Sequence, residues 1–257
     1  MIKTGLVSIS FRDLSPLQIV DLVAEAGLDA IEWGGDVHVP HGDVQKAQEV
    51  RELTVNAGLE CSSYGSYYKL GVSEAEGLSF SSVLESAETL CVPTIRVWAG
   101  NKGSADADEA FRKLVMDDAV RVVNLAEKSN ISIAIEYHGR SLTDTNESAQ
   151  KLMKELNHKN IFTYWQPPNN MDFEERMSGL KAILPSVSNI HVFHWVMMED
   201  GKWDRRPLEE GTKDWLQYLQ VLSTTEQNRY ALMEFVRNGE VCQFKQDAET
   251  LKMWLAT

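Results

Sequence analysis

Eight times along the chain a short apolar run is followed by a longer amphipathic segment, and nothing else in the sequence constrains the fold as tightly. The apolar runs fall near 4–9, 29–33, 59–62, 94–98, 132–136, 161–165, 190–194 and 230–235. Their length suits strands buried on both faces. Between them, apolar residues recur at helical spacing. Ser15-Pro16-Leu17-Gln18 reads as an N-cap, a proline at N1 and a capping-box glutamine. Ile19, Leu22, Val23 and Ala26 follow, with Gly27 just past the end. Further helices are expected near 43–56, 80–90, 107–129, 145–156, 173–184, 212–223 and 246–255. Crossover helices join parallel strands, and eight such units in 257 residues match an α/β fold of the closed (β/α)₈ type, a TIM barrel. An open doubly wound sheet would usually carry a glycine-rich first turn. Here the first strand runs into SISFRDLSP. No linker rich in Pro, Gly or Ser divides the chain, so residues 1–257 are expected to form one domain.

Composition narrows the partners. The formal charge of −13 opposes a nucleic-acid backbone binder, though a local cation could still hold a small anion. No apolar stretch reaches the length of a membrane helix, and the N-terminus reads as a strand rather than a signal peptide. Three cysteines without a CxxC pair fit a reducing compartment, so a cytoplasmic location is expected.

In a barrel, chemistry gathers where strands run into the loops that precede helices. SIAIEYHG, residues 132–139, ends in Glu136 and His138. The sixth strand ends in Gln166, the seventh in His194 and the eighth in Glu234. Side chains alternate faces along a strand. Glu136 shares a face with Ser132 and Ala134, Gln166 with Phe162 and Tyr164, His194 with Ile190 and Val192, and Glu234 with Leu232. All four are expected to point inward. Two carboxylates, an imidazole and an amide suit one divalent ion among Mn²⁺, Co²⁺, Mg²⁺ and Zn²⁺. The plainer alternative is that such residues form salt bridges or cap loops.

Other polar and aromatic residues at strand ends are candidate substrate contacts: Glu32, Trp33, His38, Tyr64, Arg96, Trp98, His138 and Trp165. Arg96 would pair with Glu32 or Glu136, or bind an anionic group. The long loop VMMEDGKWDRRPLEEG after the seventh strand could act as a lid, with Lys202, Arg205 and Arg206 reaching a phosphate or carboxylate. Arg206 is carried forward as a substrate contact. Asp144 and Asn146 are expected to start a helix and to lie outside the site.

The segments AGLDAIEWGGDVHVPHGD (26–43), TIRVWAG (94–100), IAIEYHG (133–139), NIHVFHW (189–195) and ALMEF (231–235) resemble the xylose-isomerase-like TIM barrel family of sugar phosphate isomerases and epimerases. The resemblance spans essentially the whole chain. It implies one bound divalent metal, Mn²⁺ favoured, and chemistry beside a sugar carbonyl. By resemblance Glu136 and Glu234 would bind the metal and move protons, and His194 would be a ligand. Gln166 stands where the family usually has Asp, so one negative charge is missing from the set.

The implied reaction is isomerisation or epimerisation of a keto-sugar, sugar acid or sugar phosphate through a cis-enediolate. One glutamate would remove the proton, and it would return to the other face or the neighbouring carbon. A dehydratase or other lyase on a related keto-sugar or keto-inositol is the nearest alternative. A sugar-binding protein with a degenerate metal site is the non-enzymatic one, and abasic-DNA cleavage is disfavoured by the charge. The expected partner is a small carbohydrate, with a homodimer plausible for the family.

Overall fold

The computed structural model describes residues 1–256 and is a closed eight-stranded parallel barrel. Its strands are β1 (Ile2–Val7), β2 (Ala30–Gly34), β3 (Glu60–Lys69), β4 (Thr94–Trp98), β5 (Ser132–Glu136), β6 (Ile161–Trp165), β7 (Val187–Val192) and β10 (Arg229–Met233). They pair in chain order, and β10 closes on β1, with Gly5 opposite Leu232. A short antiparallel hairpin, β8 (Trp195–Met197) with β9 (Trp203–Arg205), stands in the loop after β7. This is the (β/α)₈ architecture expected from the alternation.

Eight helices surround the barrel: α1 (Pro16–Glu25), α2 (Val44–Asn56), α3 (Phe80–Leu90), α4 (Glu109–Ala126), α5 (Asn146–Leu156), α6 (Phe173–Ile183), α7 (Thr212–Leu222) and α8 (Val241–Ala256). The capping box read at Ser15 and Gln18 is present at the start of α1. None of the described helices is long and apolar enough to cross a membrane.

The strands sort their side chains into two apolar groups. Ile31, Trp33, Ile95, Val97, Ile133, Ile135, Ile190, Val192 and Met233 pack outward in the layer shared with the helices. A smaller group, Val7, Ile9, Ala134, Tyr164 and Leu232, fills the barrel interior. The outer layer buries the larger apolar area, so it decides which parity of each strand faces which way.

Several boundaries differ from those expected. The first strand stops at Val7, and Ser8–Phe11 forms a 3₁₀ turn. The third is longer, because its register with β4 slips between Gly65 and Tyr68. The seventh begins at Val187 and ends at Val192, two residues before His194. The last helix starts at Val241 rather than near 246.

Candidate active site

Strand alternation with the apolar residues outward puts Glu32, Arg96, Glu136 and His191 inside the barrel. Arg96 is the keystone. It is almost fully buried and lies between two carboxylates: its Nε donates to Glu32 Oε1 at 2.7 Å, and its Nη1 donates to Glu136 Oε2. The Trp98 indole also donates to Glu136 Oε2, at 2.5 Å. Glu32 accepts a further bond from Ser63 Oγ at 2.9 Å. Below this layer the Tyr164 hydroxyl meets Ser63 Oγ at 2.8 Å and accepts from Asn189 Nδ2 at 3.0 Å.

His191 occupies the centre. Its Nδ1 lies 3.1 Å from Gln166 Oε1, 3.4 Å from Glu136 Oε1 and 3.5 Å from Glu234 Oε2. Its Nε2 makes no hydrogen bond and faces Glu32 Oε1 at 3.5 Å. Glu136, His191 and Glu234 each offer a ligand atom, and these atoms lie within 4.8 Å of one another. Gln166 is pinned, since its Nε2 donates to Tyr137 O at 2.6 Å while its oxygen turns to His191.

The electrostatics are set by burial and crowding. Burial alone would raise the pKa of Glu136, but Arg96 and His191 outweigh it and hold the carboxyl down to about 2. Arg96 and His191 likewise keep Glu32 far below the usual carboxylate range, against its burial. Glu234 has no hydrogen-bonding partner among the described side chains. Its burial, with repulsion from Glu136 and Glu32, outweighs the pull of His191 and Arg96 and lifts it to about 7. Burial would lower His191, yet Glu234, Glu32 and Glu136 raise it to about 10.

These donors fit a divalent cation. With His191 neutral, three carboxylates against one guanidinium leave two negative charges in a buried space. Carboxylate and imidazole donors suit a divalent ion of the first transition row. A neutral His191 directing Nδ1 at the cluster would present Nε2–H to Glu32, the usual support for a ligating imidazole.

Above the cluster opens a cavity of about 570 Å³ at the C-terminal mouth of the barrel. Its walls include Tyr67, Trp98, His138, Phe193, Trp195 and Phe235. His138 stacks on Trp98 with centroids 4.3 Å apart. Trp203 of the hairpin also reaches the wall.

The structure brings together Glu136, Glu234, Gln166, Arg96, Trp98 and His138 around this cavity. It places other candidates elsewhere. His194 lies outside the cluster, half-buried beside a side cavity of about 20 Å³ with Arg176, Asp214 and Tyr218. Ile190 and Val192 face the helices, so the inward histidine of β7 is His191. Trp33 and Trp165 follow the same rule. Each has the outward parity, with Trp33 donating to Thr54 of α2 at 3.2 Å and Trp165 packing on Trp215 and Tyr218.

Tyr64 also turns outward and donates to Val39 O at 2.7 Å. His38 is enclosed by Ser8 Oγ at 2.9 Å and Leu14 O at 3.2 Å. Glu32 faces inward but is fully buried beneath the mouth, where it contacts Arg96 rather than the cavity. Arg206 is engaged by Glu210 and Asp204 and does not line the cavity. Asp144 does line it, contrary to its expected position, and accepts from Ser104 N at 3.0 Å. Thr145 rather than Asp144 caps α5.

His191 at the centre of the cluster, and Phe193, Phe235 and Arg140 at the mouth, are residues that the sequence did not single out. A signal for His191 was present in NIHVFHW, because the apolar neighbours of the first histidine require the outer face. Tyr67 reaches the cavity through the slip in β3 and a left-handed backbone, φ +56°.

Residues 20–254 match the family model described as the xylose isomerase-like TIM barrel. The 3-dehydroshikimate dehydratase of Bacillus anthracis is 30% identical over an alignment of 172 residues, with 62% of this chain and 59% of that protein covered. The match thus spans less than two thirds of that relative. Among solved structures, the probable 3-DHS dehydratase AsbF from Bacillus anthracis superposes with a TM-score of 0.79 at 21% identity, covering 98% of this chain and 99% of the other. The 3-keto-D-glucoside 4-epimerase YcjR from E. coli gives 0.72 at 15% identity, with both chains covered completely. At these identities the two structures speak for the fold.

Proposed function

Since the chain belongs to the xylose isomerase-like TIM barrel family, we propose that it is an enzyme that removes a proton next to the carbonyl of a small polyhydroxylated substrate and expels a neighbouring hydroxyl as water. The observation that carries this reading is the inequality of the two mouth glutamates. Glu136 is engaged by Arg96 and Trp98, whereas the Glu234 carboxylate has no hydrogen bond with any described residue and lines the cavity, and its burial with repulsion from Glu136 raises its pKa. One carboxyl is therefore fixed and the other left uncommitted at the cavity, where it can take a proton.

In this reading Glu234 takes the proton α to the carbonyl. The electrons form the new C=C bond as the β C–O bond breaks, and the proton held by Glu234 or by His138 leaves with the hydroxyl as water. Arg96 keeps Glu136 ionised and fixed, and His191 is held between Glu32 and the mouth. The aromatic walls Trp98, Phe193 and Phe235 exclude water and offer faces to a ring. Glu136, His191 and Glu234, with the Gln166 carbonyl beside them, would hold the divalent ion. When bound, that ion, Mn²⁺ by family likeness, would polarise the substrate carbonyl and make the adjacent C–H more acidic. The relative named as a 3-dehydroshikimate dehydratase supports the outcome and suggests a cyclic hydroxy-keto acid as substrate.

Isomerisation or epimerisation of a keto-sugar is the second reading, favoured by the nearness of Glu136 to Glu234 at one mouth. It needs a second proton carrier, and Glu136 would have to leave its partners to serve.

Mass spectrometry of 3-dehydroshikimate and of keto-sugars, incubated in D₂O with Mn²⁺ and the protein, separates the readings. Loss of one water marks the lyase, and deuterium gained without loss of water marks the isomerase or epimerase. Glu234→Gln is expected to lower kcat by about 10²–10⁴. Unchanged turnover in that variant would refute the role given to Glu234.

A further inference from the structure

We propose that Arg140 is the anion receptor of this pocket, so that the substrate carries a carboxylate or phosphate; this deepens the reading given above and rests on it. In a chain of net charge −13 a small anion needs a local cation to hold it. Three arginines line the cavity: Arg12, Arg96 and Arg140. Arg12 is committed to Asp36 at 2.6 Å, and Arg96 to Glu32 and Glu136. Arg140 has no hydrogen bond, ion pair or ring contact with any described residue, and its side chain is exposed at the rim.

Its loop is built to hold it there. Thr143 Oγ1 donates to Glu136 O at 2.5 Å, tying the loop to the end of β5. Ser141 Oγ donates to His138 O at 2.7 Å and meets Thr143 Oγ1 at 2.8 Å. Leu142 N donates to Ala99 O at 3.0 Å, and the Leu142 side chain is fully buried. Residues 141–143 are thus a buried peg, and residues 138–140 arch over it into the mouth.

At the top of that arch Arg140 adopts φ +59°, a left-handed conformation that is uncommon for a residue with a side chain. Gly139 precedes it in open space. Strained backbone positions are frequent at ligand clamps, and this one falls at the rim of the cavity. A planar guanidinium suits carboxylate and phosphate alike through paired N–H donors.

The test is calorimetric titration of matched pairs into the Mn²⁺-supplemented full chain, in a Glu234→Gln background to suppress turnover. One pair is 3-dehydroshikimate and its methyl ester, and the other is D-fructose 6-phosphate and D-fructose. The charged member of one pair is expected to bind at least about tenfold more tightly than its neutral twin. Arg140→Gln should erase that ratio and leave the neutral twin unchanged, while Arg140→Lys should retain part of it. The pair that responds identifies carboxylate or phosphate. Equal weakening of both members, an unaltered ratio in Arg140→Gln, or no preference for either anion would overturn the proposal. Failure of the dehydratase reading would show separately, as an absence of water loss in the wild-type chain.

Discussion

Arg96 is a single cation between two buried carboxylates, and the mouth depends on it. Removing one partner of such an arrangement leaves charge without compensation, which typically costs about 3–5 kcal/mol. Arg96→Met keeps much of the side-chain volume but removes the charge, leaving Glu32 and Glu136 to face each other across the barrel. It is expected to lower unfolding stability by about that amount in urea titrations. Because Glu136 would no longer be held ionised, activity should fall with it. A variant as stable as the wild type would mean that solvent or a bound cation already neutralises the pair. Gln166 shows the opposite economy: a neutral amide gives its N–H to a backbone carbonyl and its oxygen to His191, without adding charge to a crowded site.

At the scale of elements, β3 is the strand that makes room for the site. Its face opposite Arg96 is Gly65, where an added Cβ would sit 2.8 Å from Arg96 Nη2 and 2.8 Å from Glu32 Oε1. The glycine is required by the ion pair that crosses it, not by its backbone conformation. Gly65→Ala is therefore expected to push the guanidinium off Glu32 and cost about 1–3 kcal/mol, the usual range for overpacking. Thermal unfolding would register it, and an unchanged midpoint would show that Arg96 can move aside. Directly beyond Gly65 the register slips and Tyr67 turns into the cavity. The hairpin β8–β9 plays a similar part on the other side. It brings Trp195 and Trp203 to the wall and stands Arg205 over the Phe235 ring at 4.5 Å.

Across the whole molecule the barrel draws five ionisable groups, Glu32, Arg96, Glu136, His191 and Glu234, into one space, so stability should depend on pH through them. His191 is raised from its ordinary 6.5 to about 10, so its protonated form stabilises the metal-free fold. That contribution is complete below about pH 6.5 and is lost as pH rises through about 10. Glu234 acts in the same direction at lower pH, because a carboxyl raised to about 7 disfavours the fold once it must ionise. The metal-free protein should therefore lose melting temperature steadily from pH 6 to pH 10, and His191→Gln should flatten the upper part of that slope. Supplied Mn²⁺ should restore more stability at pH 9 than at pH 6, because a ligating imidazole must first give up its proton. A melting temperature indifferent to both pH and Mn²⁺ would argue against an ion at Glu136, His191 and Glu234.

The eightfold alternation determined the barrel, because a strand with apolar residues on both faces and a crossover helix after it has few other ways to be buried. Helix starts such as Ser15–Gln18 were equally legible, since a cap is a local bond between near neighbours. Sequence also placed Glu136, Gln166 and Glu234 on inward parities, because their small or interior neighbours differ from the bulky residues that meet the helices. Position along a strand, however, is not orientation. Trp33 and Trp165 adjoin Glu32 and Gln166 in sequence, yet they turn to the opposite side, and His194 stands past the end of a strand whose inward imidazole is His191. Only the packed structure decided these, because the outer apolar layer settles the parity of each strand. It decided as well which arginine is left free: Arg12, Arg96, Arg140 and Arg206 are alike in sequence, and their difference is solely the carboxylates that folding brings to them.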